Sequence, residues 1–283
     1  VGFIQRGPSP ALAPFVKRVG LGEGLMGWRE LVVPTGAMTL VVNLGEGELR
    51  WYDGDDRACV HASRAAMVLG ASADPVSWES AGRSAVAFVS FWPGRACPFF
   101  GVPGPAAGEP LAELEALWGR DGALLRERML EATTAEAMLS TMEAVLLYRA
   151  ARSPVPDPAV VAAATMLGRG ATVAEAADRV GWTDRTLRRR FTEQAGLTPK
   201  RFARVRRLQR LIARIPDGRQ ADWARVAAEC GYFDQAHLSN EFRALTGLTP
   251  GAYRPLPCGN HHLPPRRSVS SNPRHPAQCE KFR

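Results

Sequence analysis

The 283-residue chain contains no apolar run approaching the roughly 18 residues a bilayer-spanning helix needs, so no membrane partner is expected. It has no Cys-x-x-Cys pair. Its five cysteines, Cys59, Cys97, Cys230, Cys258 and Cys279, are scattered and odd in number, which argues against both a zinc ribbon and a disulfide framework. Cys258, His261, His262 and Cys279 lie in a Pro/Ser-rich stretch with no element to hold them around a metal. The N-terminal half offers His61, Cys59, Cys97 and dispersed carboxylates, with no nucleophile–base pair and no metal spacing. Neither an enzyme nor a metal or other cofactor is expected. A basic-then-apolar leader pattern is also missing at the start, so a cytoplasmic protein is the default reading.

What is present is a lopsided charge. Residues 1–156 carry a net −3, residues 157–254 a net +7 and residues 255–283 a net +4. One part of the chain is suited to a polyanion and the other is not. Residues 8–103 read as short extended segments separated by Gly and Pro. Met38–Leu44, Leu49–Tyr52, Ala66–Leu69 and Ala85–Phe91 are the clearest, and Asp53-Gly54-Asp55-Asp56 is a turn. That spacing predicts a barrel or sandwich. From Leu111 the period becomes helical. Leu111, Leu114, Leu117 and Trp118, then Leu124, Leu125 and Met129, then Met138, Met142, Val145, Leu146 and Leu147 suggest three helices, broken at Gly119–Gly122 and Thr133-Thr134. Their apolar faces pack on the β-domain or, as a second reading, on another copy of the chain.

Three prolines in Ser153–Pro158 make a stiff linker and mark a domain boundary. The expected organisation is therefore multidomain. Residues 1–152 form one domain, β-rich over 8–103 and helical over 110–152. A linker at 153–158 leads to an all-α domain at 159–254. A basic tail at 255–283 reads as disordered.

The all-α segment repeats itself. Ala177-Asp178-Arg179-Val180-Gly181-Trp182-Thr183-Asp184, Leu187, Phe191 and Gly196-Leu197-Thr198-Pro199 return as Ala227-Ala228-Glu229-Cys230-Gly231-Tyr232-Phe233-Asp234, Leu238, Phe242 and Gly247-Leu248-Thr249-Pro250. The offset is 50 up to the Gly-aromatic turn and 51 after it, so the second copy has one extra turn residue. Thr172 with Glu175 is a capping box, Gly181 stops a first helix, and a second helix starts near Thr183. This is a helix-turn-helix layout. Thr198-Pro199 and Thr249-Pro250 each open a further helix. The helix from Pro199 to about Ile215 joins the copies, with an apolar stripe and a basic remainder. Cys230, inside a helical pattern, reads as a small buried side chain.

In the second helix of the first copy, Leu187 and Phe191 fall within about 40° of each other and face inward. Arg185, Arg188, Arg189 and Thr192 fall on the opposite side. A guanidinium pairs bidentately with guanine O6 and N7 in the major groove, so Arg185, Arg188 and Arg189 are candidate base readers. Arg190 lies off that stripe and suits a phosphate, as do Lys200, Arg201 and Arg243. The second copy exposes Gln235, Ala236, Ser239, Asn240 and Arg243. Gln and Asn suit adenine N6 and N7. It is the less charged reader.

Gly231–Phe242 and Thr246–Arg254, with the weaker first copy upstream, resemble the AraC/XylS family of transcription regulators. The resemblance implies two helix-turn-helix units whose recognition helices enter successive major-groove segments. The base contacts would come from Arg185, Arg188 and Arg189, then Gln235, Ser239 and Asn240. A basic residue often stands in that family where this chain has Asn240. Val33–Leu44 and Phe91–Gly94 resemble the β-rich domain attached to many such regulators, where it binds an effector or dimerises. The function implied is a sequence-specific DNA-binding regulator responding to a small molecule. Its partners would be double-stranded DNA, a small-molecule effector, RNA polymerase if it activates, and a second copy as a homodimer. The alternatives are a constitutive or architectural DNA binder without a ligand, and an enzyme domain fused to a DNA-binding domain. One chain would cover two adjacent groove segments about 34 Å apart.

Overall fold

The computed structural model describes residues 3–24, 29–53, 59–80, 84–100, 111–153, 155–215, 222–254 and 261–262. Two antiparallel sheets form the N-terminal domain. One holds β1 (Phe3–Arg6), β2 (Val16–Gly24), β4 (Thr39–Asn43), β7 (Ala66–Leu69), β9 (Ser84–Phe91) and β10 (Leu111–Glu113), in the order β1-β2-β9-β4-β7-β10. The other holds β3 (Arg29–Val32), β5 (Leu49–Asp53), β6 (Cys59–Ser63), β8 (Val76–Ser80) and β11 (His261–His262), in the order β11-β3-β8-β5-β6.

Strand alternation explains why the first sheet is apolar on both faces. In β4, Leu40 and Val42 point to a core shared with helices, while Val41 points to the second sheet. In the adjacent β7, Val68 sits opposite Leu40 and Met67 opposite Val41, and they divide between the same two cores. The helix-facing core is closed by α1 (Cys97–Phe100), α2 (Leu114–Trp118), α3 (Arg120–Leu130) and α4 (Ala135–Ala150), through Leu114, Leu125, Met129, Leu139, Met142 and Leu146. The helical apolar stripe thus packs on the chain's own sheet.

Two details differ from the periodicity. Leu111 belongs to β10, where Leu111–Glu113 pairs with Met67–Leu69; three residues are too few for a period to distinguish strand from helix. Gly122 lies inside α3 rather than in a break, because a Cβ there would stand 2.5 Å from the Leu114 carbonyl oxygen where α2 and α3 cross. The turn at residues 53–56 lies mostly outside the described residues.

The C-terminal domain is helical: α5 (Pro158–Arg169), α6 (Val173–Arg179), α7 (Asp184–Ala195), α8 (Pro199–Ile212), α9 (Trp223–Cys230), α10 (Gln235–Thr246) and a 3₁₀ turn at Pro250–Ala252. It has two cores. α5, α6 and α7 close the first around Leu167, Leu187 and Phe191, and α9 and α10 close the second around Val226, Leu238 and Phe242. α8 serves both, giving Phe202 and Val205 to the first and Leu208, Leu211 and Ile212 to the second. Its shorter end, at Ile212 rather than Ile215, leaves the last residues in a turn. The second Thr-Pro is also weaker than the first: Thr249 makes no side-chain cap bond and opens only the 3₁₀ turn.

Within the tail read as disordered, the described residues, His261 and His262, form a strand. His261 and His262 pair antiparallel with Val32 and Leu31, satisfying backbone groups that β3 would otherwise present as a bare sheet edge.

Candidate nucleic-acid interface

The first helix-turn-helix unit is built by local rules. The Thr172 hydroxyl accepts from the Glu175 amide at 3.2 Å, and the Glu175 carboxylate accepts from the Thr172 amide at 2.7 Å, so the capping box is complete. Those bonds hold the Glu175 carboxyl below its ordinary pKa. Gly181 takes φ +72°, which only glycine adopts without strain, and turns the chain between α6 and α7. Thr183 then caps α7 by accepting from the Thr186 amide. Leu187 and Phe191 are fully buried, and the Phe191 ring meets Phe202 edge-on at 5.2 Å.

With that face fixed inward, the opposite one carries the expected readers. Arg185 and Arg188 are exposed and have no partner among the described residues. Arg189 is exposed and pairs with Glu193 at 3.1 Å, an i,i+4 contact whose side chains are both more than half exposed. Such a pair is worth a few tenths of a kcal/mol and is easily exchanged. Arg190 is held instead: its guanidinium lies 5.1 Å over the Trp182 ring and 3.1 Å from Asp157, the N-cap of α5.

The second unit follows the same plan with different caps. Asp222 caps α9, Gly231 turns the chain at φ +77°, and Asp234 caps α10 by accepting from the His237 amide at 2.7 Å. Gln235, Ala236, Asn240 and Arg243 are exposed and Ser239 is half-buried. Sequence reasoning missed Glu241, a buried carboxylate on the inner face of α10. It lies 3.2 Å from His237, 3.4 Å from Arg204 and 3.9 Å from Arg207. Position alone could have shown it, because Glu241 stands three residues after Leu238 and so flanks it on the buried side. Arg204 and Arg207 of the joining helix are thereby tied to α10. Arg207 also lies 5.2 Å over Tyr232, whose hydroxyl burial pushes well above its ordinary pKa.

Of the four expected phosphate residues, Lys200 and Arg243 are exposed without a partner among the described residues, whereas Arg190 and Arg201 are engaged. Arg201 is 2.8 Å from Asp74 of the N-terminal domain. That contact is one of several along α8. Arg206 donates to the Thr35 carbonyl at 3.3 Å and Gln209 to the Pro34 carbonyl at 2.8 Å. Burial, with Arg210 alongside, pushes the Arg206 pKa down. Gly36, at φ +70°, lets the loop approach so closely that a Cβ would stand 3.2 Å from the Phe202 ring. Gln194 ties the domain boundary, donating to the Gly94 carbonyl and accepting from the Asp157 amide. The N-terminal domain even contributes to both helical cores, Ala73 to the first and Val33 to the second. Behind this contact lies a cavity of about 50 Å³ between the sheets, lined by Val33, Pro34, Thr35, Ser72, Asp74 and Leu111 among others.

Elsewhere, His61 is brought within 3.2 Å of Glu113, a pair the sequence did not suggest. Among the described residues no cluster of three or more His, Cys, Asp or Glu could hold a metal, and no helix is long and apolar enough to cross a membrane. Cys258 and Cys279 lie outside the described residues.

Two helix-turn-helix units, each with a buried inner face and an exposed polar or basic second helix, make up the C-terminal helical domain. Residues 162–255 match the family described as a helix-turn-helix domain, and residues 5–107 match a domain of unknown function (DUF6597). A protein named as an AraC-like transcription regulator of Streptomyces antibioticus is 30% identical over 167 residues, covering 53% of this chain and 55% of its own length. Another so named, from Streptomyces lividans, is 32% identical over 105 residues, 36% of this chain and 34% of its own length. The chain thus spans about half, or less, of the curated relatives it matches. Vibrio cholerae ToxT is 10% identical with a TM-score of 0.47, over 88% of this chain and 97% of that one. The C-terminal domain is a double helix-turn-helix domain, and the relatives it is similar to are named AraC-like, in line with the resemblance its motifs carry.

Proposed function

We propose that the chain is a sequence-specific DNA-binding transcription regulator whose N-terminal domain responds to a small molecule. The observation that carries the reading is the pair of exposed, unpartnered arginines, Arg185 and Arg188, on the first recognition helix, in register with a second such helix. Unpaired guanidinium groups on one stripe repel each other in water and are matched by guanine edges in the groove. Arg185, Arg188 and Arg189 read bases in the first segment, and Gln235, Ser239 and Asn240 in the second. Lys200 and Arg243 contact phosphates. Arg190 and Arg201, each already paired with a carboxylate, join them as weaker contacts. The effector reading is supported by the contacts through which the N-terminal domain holds α8, a route by which a change in that domain would reach both recognition helices.

The test is selection of bound duplexes from a random pool, followed by titration of variants. Arg188→Ala is expected to cost about 1–3 kcal/mol and to relax preference at one position. Arg243→Ala is expected to weaken all sequences alike and to lower the salt slope by about 1. Identical effects of both variants on every sequence would sink the assignment.

A further inference from the structure

The extra turn residue of the second copy is Phe233. The first unit runs Gly181-Trp182-Thr183, with Thr183 as the N-cap; the second runs Gly231-Tyr232-Phe233-Asp234, with Asp234 as the N-cap. Tyr232 occupies the buried place matching half-buried Trp182, so Phe233 has no counterpart. It is 92% exposed, the most exposed large apolar side chain among the described residues.

A residue just before an N-cap commonly packs on the helix's fourth residue as a hydrophobic staple. Here that residue is Leu238, which is fully buried while Phe233 stands in solvent, so Phe233 is no staple. Its backbone is nonetheless fixed. The Phe233 amide donates to His237 Nδ1 at 3.3 Å, and His237 is held by Glu241 at 3.2 Å and edge-on by the Tyr232 ring at 5.4 Å. An anchored turn therefore presents an unpacked aromatic ring at the N-terminal end of the recognition helix, the end that meets base edges in a helix-turn-helix.

We infer that Phe233 is a specificity-determining residue, its ring packing on the 5-methyl group of a thymine in the groove segment read by α10. Thymine is the base that presents a methyl group in the major groove. The polar neighbours agree: Gln235 and Asn240 suit adenine, and adenine pairs with thymine. The second unit then reads A·T pairs by shape and neutral contacts, where the first reads guanine by charge. This inference rests on the DNA-binding reading above.

The experiment uses the full chain and the duplex it selects from a random pool, with each thymine of the α10 segment exchanged in turn for uracil. One exchange is expected to weaken the wild type about fourfold, the worth of one buried methyl. Phe233→Ala is expected to bind both duplexes equally while keeping the wild-type thermal midpoint and the preferences of the α7 segment. Phe233→Leu, which keeps apolar reach, is expected to retain part of the discrimination. If Phe233→Ala still distinguishes thymine from uracil, or if no uracil exchange affects the wild type, the inference is overturned and DNA reading stands. If Phe233→Ala matches the wild type on all DNA but loses transcriptional output, the ring serves a protein partner and the inference is likewise overturned. If the wild type selects no motif, the DNA-binding reading itself falls, and this inference with it.

Discussion

The two helix-turn-helix units share a skeleton and differ in nearly everything they show to solvent. Each has a fully buried Leu and Phe at equivalent places, Leu187 and Phe191 against Leu238 and Phe242, and each turns on a glycine at positive φ. Outside that frame they diverge. α7 displays Arg185, Arg188 and Arg189, with threonine caps before it and before α6. α10 displays Gln235, Ala236 and Asn240, with aspartate caps before it and before α9. A buried leucine is constrained by shape and a surface residue by its partner. The shared part is what a fold requires, and the differing part is what two stretches of DNA would require.

The comparison can be broken first at its skeleton. Leu187→Ala and Leu238→Ala each empty a fully buried site and are expected to cost about 2–5 kcal/mol, read by thermal or urea unfolding. Strongly unequal costs would show that the two cores are not equivalent. The caps are a smaller test. Thr183→Ala and Asp234→Ala are each expected to cost about 1 kcal/mol. Asp234 should be the more sensitive to salt, because its charge also faces the α10 N-terminus. The smallest expected effect concerns the capping box, which belongs to the first unit alone. Glu175 has a lowered folded-state pKa, so its contribution is fully present above the ordinary glutamate range and is lost as pH falls through the folded value. Glu175→Gln should flatten that part of the stability–pH curve below about pH 4.5. An unchanged curve would remove the cap as a distinction between the units.

Much of this was legible in the sequence because it is local. The caps, the glycine stops and the i, i+4 faces lie within a few residues of one another, and β4, β5, β7 and β9 fell close to their predicted segments. What was not legible is separated along the chain. Arg201 meets Asp74 across 127 positions, and Arg206 meets the Thr35 carbonyl across 171. No period in either segment announces the other. Val33 and Ala73 look like ordinary strand-end residues, yet they complete helical cores. The sequence shows one extra turn residue in the second copy without saying which; that it is Phe233, and exposed, follows from Tyr232 filling the buried place beneath the turn and Asp234 taking the cap.

The bond between Asp74 and Arg201 sets a rule of exchange. One Nη2–H of Arg201 is spent on the Asp74 carboxylate 2.8 Å away, while the other N–H groups of the guanidinium remain available. If Arg201 meets a phosphate, as proposed above, that phosphate and the Asp74 carboxylate share one cation and repel each other, so the pair would lower the affinity measured for DNA by a fraction of a kcal/mol to about 1 kcal/mol. By linkage, a change that loosens the grip of the N-terminal domain on α8 would then favour DNA, and bound DNA would loosen that grip by the same coupling factor. On that reading the carboxylate is an internal competitor held at fixed concentration, tethered to the cation for which it competes.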